Sequence, residues 1–566
     1  MIRLLQTVFR FEEFDDPENR NFVRFGIFLA AAAIALRFFF WWYTDRIWED
    51  ALITVLHSEN FGRGLGLTHE RFGQERLHGF TSPLSVLVPL MADAWHPGWG
   101  LHLIRFVSAF IGGLTVLYVM AIAIHSKVNL AKPVAFMVMG YVGFEHSQIL
   151  WGMAGMETQI VTCILLMSMY YAIAWKPVAL GVSLGLCMLA RPDYGFWTLI
   201  IAVYILYVDK KQFVKIVAVA VAVYGPWLIF TTLYYGSPIP NTIIAKSMGF
   251  GMWWAQEIKV SVPDYIMGIF SGAKHDNSLT VTLGPSFPGH GTVIVPIFDW
   301  SPWVARAMSV FYLVGCFRIV KDKNAGMLTV LGFSLVYMIY YVGFVPVVFG
   351  WYLVPFAATT VLIACYGLNF LFTVLPKWKG VDRKLAWSSA VVFVGMFCWV
   401  LPNTFTWEKR IQEDVENQVR VKMGKYMNKI MEPHESLTIE CLGYMSYYSR
   451  RTIWDWPGMC SRTSVDYHMN NEDHSMEGLI KGLKPEYIVL RAIGDWIWEI
   501  EGKWVDEDYQ RIKRFHAPHA PLTKIPWLKN NVDINFFVLK RRDIVKPEDI
   551  EWHGVPRYPR DEDDSE

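Results

Sequence analysis

Two adjacent carboxylates, Glu49 and Asp50, stand about one helical turn beyond the first long apolar run, in the stretch W-E-D-A-L-I-T. A carboxylate beside a membrane surface is suited to act as general base on an acceptor hydroxyl. The plainer alternative is an interfacial acid pair that solvates a helix start. A helix-like segment follows, then a Gly-rich turn (Gly62, Gly64, Gly66) and a polar hairpin with His69, Arg71, Arg76 and His78. Trp48 to Ser82 thus carries more polar machinery than a spacer between membrane helices needs, and it reads as an active-site loop.

Other polar groups interrupt apolar sequence at intervals. Glu157, in G-M-A-G-M-E-T, sits where an apolar run meets its outer end, as a site acid or as a helix cap. Arg191 and Asp193 lie in L-A-R-P-D-Y-G. An arginine near the membrane interface is costly unless paired or bound to an anion, and guanidinium can grip phosphate bidentately; an Arg191–Asp193 or Arg191–Asp50 ion pair is the alternative. From Tyr234 to Lys246 runs Y-Y-G-S-P-I-P-N-T-I-I-A-K, where two prolines and Gly236 make a rigid turn. Asn241 and Lys246 then project at a helix start, with Lys246 either meeting a lipid phosphate or snorkelling. In F-G-W-Y-L-V-P, Trp351 and Tyr352 form an aromatic belt or wall a sugar site.

The elements that must hold these groups follow from composition. The chain has 566 residues, 53% hydrophobic and 18% charged, with a mean hydropathy of +0.27. That is too apolar and too weakly charged for an ordinary soluble protein. Twenty-five Trp suit two membrane–water interfaces. A net charge of +1 gives no reason to expect nucleic acid as a partner. Of seven cysteines, Cys441 and Cys460 are the two in the polar C-terminal region. They are candidates for a disulfide if that region faces an oxidising compartment, with two free thiols as the alternative. No His/Cys cluster has zinc spacing. The charged N-terminus is not a signal peptide.

Apolar runs at about 25–43, 103–124, 131–150, 158–175, 177–190, 194–208, 213–234, 303–320, 326–345, 350–374 and 385–402 predict eleven transmembrane helices. The run 83–95 is too short to cross, contains Pro83 and Pro89, and suits an interfacial helix. Leaving it uncrossed puts the basic loops at 127–132, 176, 210–215, 318–323 and 377–384 on one side with Arg3, Arg10, Arg20 and Arg24. By the positive-inside rule that side, with the N-terminus, is cytoplasmic. Residues 44–102, 151–157, 191–193, 235–302, 346–349 and 403–566 then share the outer face, with every motif named above. The segment 403–566 is charged, has strand-like runs at Leu437–Ile439, Tyr487–Leu490 and Phe536–Leu539, and has a helical patch at 408–430. It predicts a soluble α/β domain outside the membrane. Its tail, Asp561–Glu566, is expected to be disordered.

In their order, W-E-D-A-L-I-T, H-G-F-T-S-P-L, G-M-E-T, A-R-P-D-Y, Y-G-S-P-I-P-N-T-I-I-A-K and W-Y-L-V-P resemble the GT-C superfamily of polytopic glycosyltransferases. Within it they are most similar to the AftB-type arabinofuranosyltransferases, whose outer soluble domain C-L-G-Y-M-S-Y-Y-S-R-R-T-I-W-D-W-P-G also resembles. The resemblance implies a GT-C fold over residues 1–402 in a bacterial plasma membrane. It implies a lipid-linked donor, decaprenyl-phosphoryl-arabinofuranose, and inverting transfer of D-arabinofuranose to a cell-surface glycan such as cell-wall arabinan. Other polyprenyl-phosphate sugars such as mannose, or a protein acceptor such as pilin, are the nearer alternatives; a lipid-linked glycan transporter is the more distant one, and the expected inverted repeat is not seen.

The family usually shows two aspartates where this chain has Glu49-Asp50. Asp50 is favoured as base, with the choice between the two open. Arg191, Lys246, Asn241 and Tyr352 match positions implied for donor phosphate and sugar. His78, Glu157 and Asp193 are the implied acceptor or sugar contacts, with His78 standing where the family has an acid. No cofactor is implied, and no carboxylate cluster points to a metal.

Overall fold

The structure is a computed structural model that describes residues 11–69, 76–247, 301–343, 349–374, 381–493, 496–497, 499–500, 504–517 and 534–554. Arg3, Arg10, Arg71, Lys377, Lys379, residues 248–300 of the outer loop and the acidic tail lie outside the described residues. In chain order the helices are α1 (Arg20–Thr44), α2 (Glu49–Gly62), α3 (Leu84–Asp93), α4 (Gly100–Ile124), α5 (Lys132–Phe144), α6 (His146–Met153), α7 (Thr158–Ala174), α8 (Pro177–Ala190), α9 (Gly195–Val208) and α10 (Lys210–Tyr235). There follow α11 (Asn241–Ser247), α12 (Ser301–Lys321), α13 (Ala325–Gly343), α14 (Gly350–Val374), α15 (Val381–Arg410), a π-helix (Ile411–Val421) and α16 (Lys422–Ile430). The C-terminal region then alternates β1 (Ser436–Ile439), α17 (Leu442–Ser449), β2 (Thr452–Asp455), α18 (Arg462–Asn470), α19 (Met476–Leu483), β3 (Tyr487–Ile493), β4 (Trp496–Ile497), α20 (Trp504–Asp508), β5 (Tyr509–His516) and β6 (Asn535–Arg541).

The chain divides into two compact units. One comprises Met1–Tyr43, Ile104–Trp227 and Trp254–Thr406; the other comprises Thr44–Leu103, Leu228–Trp253 and Trp407–Glu566. The polar loop after α1 therefore belongs to the same unit as the C-terminal domain.

The first unit is helical. Every apolar run expected to span carries helix, and five stretches are long and apolar enough to cross a membrane by length and composition: Pro17–Thr44, Gly100–Ile124, Lys210–Tyr235, Gly350–Phe372 and Lys384–Ile430. Proline at the first turn starts α5 and α8, where a missing N–H costs nothing. The expected run 131–150 is broken in two. Glu145 is extended between α5 and α6, and its carboxylate caps the second helix by accepting from Ser147 N and Gln148 N at 3.0 and 2.9 Å. Arg37, fully buried in α1, gives Nε to Gln159 and its terminal nitrogens to the carbonyls of Val142 and Gly143, so its desolvation is offset by hydrogen bonds.

The second unit is built on a sheet of order β2-β1-β3-β6-β5, with β4 beside β3. β1 is parallel to both β2 and β3, while β6 is antiparallel to β3 and β5. The three strand-like runs expected from sequence are β1, β3 and β6. All four residues of β1 are buried, as befits a central strand covered on both faces. The core joins Leu437, Ile439, Val489 and Val538 of the sheet to Val415, Val419, Met423 and Met427 of the preceding helices, and it includes Ile53 of α2. α3 spans ten residues with Pro89 inside it, too short to cross a bilayer.

Cys441 and Cys460 do not form the disulfide considered above. Neither is bridged, and Cys460 turns Sγ to the carbonyl of Gly79 at 3.3 Å, a partner in the polar loop after α1.

Leu437 is fully buried in β1. Leu437→Ala leaves a cavity at the centre of the sheet and should cost about 2–5 kcal/mol, read as a lowered thermal midpoint of the full-length protein.

Candidate functional site

The acid pair opens α2. Trp48 is the N-cap residue, and Glu49 and Asp50 occupy the first turn, where the helix dipole favours negative charge. Asp50 is partly exposed. Glu49 is held at both oxygens: Oε2 accepts from Arg420 Nη1 at 3.0 Å, and Oε1 accepts from the backbone N–H of Gly443 at 3.1 Å. Gly443 lies in the first turn of α17, whose N-cap Cys441 offers no side-chain cap. Glu49 thus supplies from another segment the carboxylate that the helix end lacks. The approach is so close that a Cβ at 443 would lie 2.2 Å from the Glu49 carbonyl oxygen.

Arg420 belongs to a buried row of alternating charges. Arg420 Nη1 also meets Glu416 Oε2 at 3.3 Å; Glu416 Oε1 meets Arg46 Nη1 at 3.0 Å; Arg46 Nε meets Glu408 Oε2 at 3.0 Å. Between them Gln412 accepts from the backbone N–H of Ile47 at 2.9 Å. Glu408, Gln412, Glu416 and Arg420 are spaced by four. In an α-helix of 3.6 residues per turn such a series drifts around the axis. The wider π turn from Ile411 to Val421 opposes that drift and keeps the four on one face. A second buried acid, Glu59 at the other end of α2, takes Arg63 Nη2 at 2.6 Å and Arg450 Nη2 at 2.7 Å on one oxygen.

Three motif segments meet elsewhere in the same unit. Asn241 N donates to the His78 carbonyl at 2.9 Å, and its amide gives Nδ2 to Gly458 O and Met459 O at 2.6 and 3.1 Å. Thr81 and Thr242 hydroxyls lie 2.8 Å apart. Asp455, fully buried, accepts from the backbone of Met459 and Cys460 and so shapes the loop that Asn241 reaches; burial lifts its carboxyl to about 7. His78 is buried and stacks on Tyr235 at 4.9 Å. His57 and His69 lie close by, with ring centroids 5.5 Å apart. Asn241 and His78, expected at donor and acceptor, are therefore gathered into one interior seam. Lys246, at the end of α11, is partly buried.

In the helical unit Arg191 gathers the other expected residues. Nε and Nη2 bond Asp193 at 3.0 and 3.1 Å, Nη1 bonds Glu157 at 3.2 Å, and the guanidinium lies 4.5 Å over the Tyr352 ring. Tyr341, which sequence reasoning missed, donates to Asp193 at 2.5 Å and receives Arg191 Nη2 at 3.5 Å. Of the five N–H donors of a guanidinium, one on Nη1 is left after these bonds among the described residues. Among the described residues no three His, Cys, Asp or Glu groups come close enough to hold a metal ion.

Comparison with known proteins adds fold but no close relative. Residues 409–536 match the family described as Domain of unknown function (DUF8728). No curated protein matches the chain in sequence. The fold is similar to that of ArnT from Cupriavidus metallidurans bound to undecaprenyl phosphate, at 10% identity over 94% of this chain and 99% of that one, with a TM-score of 0.53. The apo form of that protein gives 11% identity, 76% and 86% coverage and a TM-score of 0.48. The apo oligosaccharyltransferase of Archaeoglobus fulgidus gives 14%, 83% and 69%, and 0.49. The chain has the GT-C fold, polytopic and mostly helical, with a C-terminal sheet domain.

Burial holds the His57 ring down at about 4 and the His78 ring at about 3. A ring kept neutral in the fold but titrating near 6.5 when unfolded contributes stability above 6.5 that is lost as pH falls toward the folded value. Between pH 7 and pH 5 the His57 share is roughly 2 kcal/mol. His57→Leu should lose that much less stability over this interval than the native protein, measured by denaturation at both pH values.

Proposed function

We propose that this protein is an inverting glycosyltransferase that moves D-arabinofuranose from a polyprenyl-phosphate donor, decaprenyl-phosphoryl-arabinofuranose, to a cell-surface glycan on the extracytoplasmic face. The observation that carries the reading is the likeness of fold, over nearly the whole of both chains, to a protein seen with undecaprenyl phosphate bound. The choice of arabinofuranose rests on the ordered motifs of the sequence.

In this reading Asp50 takes the proton of an acceptor hydroxyl as the oxygen attacks the anomeric carbon. The bond from that carbon to the phosphate oxygen breaks, and polyprenyl phosphate leaves with the electron pair. A leaving phosphate already bears charge, so it needs cationic stabilisation more than a proton. Lys246 is assigned that charge. Arg191 fixes Glu157 and Asp193 as acceptors for sugar hydroxyls and keeps one N–H for a phosphate oxygen, with Tyr352 beneath it as an aromatic wall.

The test is turnover by the purified full-length protein in lipid nanodiscs, given synthetic polyprenyl-phosphoryl-arabinofuranose and an oligosaccharide acceptor, with polyprenyl phosphate release as the readout. Asp50→Asn should lower kcat by about 10²–10⁴-fold at an unchanged thermal midpoint; full activity in that variant overturns the assignment. Arg191→Lys keeps the charge but not the fork. It should raise the donor KM at least about tenfold, the equivalent of one charged hydrogen bond at ~1.5 kcal/mol. Release from a mannose donor and not from the arabinose donor would overturn the sugar.

A further inference from the structure

We propose that the C-terminal domain positions the catalytic helix, and that Glu49 is a positioning residue rather than a second base. The proposal rests on the reading of Asp50 as base and deepens it. Both oxygens of Glu49 are committed, one to Arg420 and one to the N-terminal turn of α17. A carboxylate whose two oxygens already accept from a guanidinium and a helix-end N–H has those oxygens engaged away from an acceptor hydroxyl. The same bonds fix the first turn of α2, and Asp50 is the next residue.

The row behind Glu49 leaves that turn little freedom. Glu408, Arg46, Glu416 and Arg420 each touch the next within 3.3 Å, and all are buried. Removing one member strands the charge of its neighbour in the interior, so the row holds as a unit. It also grips the chain just before α2: Tyr444 Oη donates to the Ile47 carbonyl at 3.0 Å, Gln412 accepts from the Ile47 N–H, and Arg46 Nη1 donates to the Ile47 carbonyl at 2.8 Å. Glu59 and Arg450 fasten the far end of the helix. Arg420, Gly443, Tyr444 and Arg450 all fall within the matched domain of unknown function. That domain thereby acquires a role, which is to hold the base-bearing helix at both ends.

The experiment compares native protein with Glu49→Gln, Arg420→Gln, Arg420→Lys and the double Glu49→Gln/Arg420→Gln variant. It uses the nanodisc assay together with amide hydrogen exchange over residues 48–56. Misplacement of a reacting group by about 1 Å costs on the order of 10²-fold. Each glutamine variant should therefore lose about that much kcat, with the donor KM within twofold of native. The double variant should be no worse than the poorer single, because the two act through one contact. Arg420→Lys should recover part of the loss, and exchange at 48–56 should quicken in all glutamine variants. Glu49→Gln as inactive as Asp50→Asn, beside a fully active Arg420→Gln, would make Glu49 the base and overturn the proposal. So would native kcat, or unchanged exchange, in both single variants. If the native protein turns over no donor, the reaction reading has failed on its own. Exchange then decides the positioning role: faster exchange in Arg420→Gln supports it, and unchanged exchange overturns it.

Discussion

A row of five charges, Glu408–Arg46–Glu416–Arg420–Glu49, the first four of them buried, is the constraint on which the rest of the second unit depends. Charges are expensive to bury, and a row like this adds little to stability compared with apolar residues of the same volume. What it gives is register. Each charge has one correct neighbour, so α2, the chain before it and the π-helix can meet in one way only. The apolar core around Val415, Val419 and Ile53 supplies the adhesion; the charges supply the alignment.

The two residues of the opening acid pair are turned to different surroundings. Adjacent positions in the first turn of a helix point in different directions. Glu49 faces Arg420 and the end of α17, and both acids are partly exposed. In the helical unit a similar economy holds around Arg191, which organises two acids, a tyrosine hydroxyl and an aromatic face around one guanidinium. Both arrangements place carboxylates by means of arginine forks, which hold direction as well as charge.

The local features were legible in the sequence. Long uniform apolar runs carry helices, and the runs at 437–439, 487–490 and 536–539 are strands because β-branched and aromatic residues cluster there between turn signals. The short run at 83–95 is a ten-residue helix. Three things were not legible. The break at Glu145 depends on a side chain capping the next helix, within a run whose hydropathy hardly falters. The π-helix and its charge row depend on partners some 370 positions away, as in Arg46–Glu416. The four-residue spacing of Glu408, Gln412, Glu416 and Arg420 was a signal available in advance, but it reads equally as a solvated helix face. The thiols of Cys441 and Cys460 share a polar region, and composition alone says nothing of Gly79, which takes one of them.

The second unit is assembled from three stretches of chain, Thr44–Leu103, Leu228–Trp253 and Trp407–Glu566, with helical sequence threaded between them. During synthesis the first stretch emerges more than three hundred residues before Arg420 and Gly443. Until those arrive, Arg46, Glu49 and Glu59 lack Glu416, Arg420 and Arg450, and Ile53 lacks the sheet core it joins. Such long sequence separations make folding slow and order it in time. The helix that bears the acid pair is thus among the last elements to be set, and a chain cut short before the C-terminal domain would carry its motifs without the means to aim them.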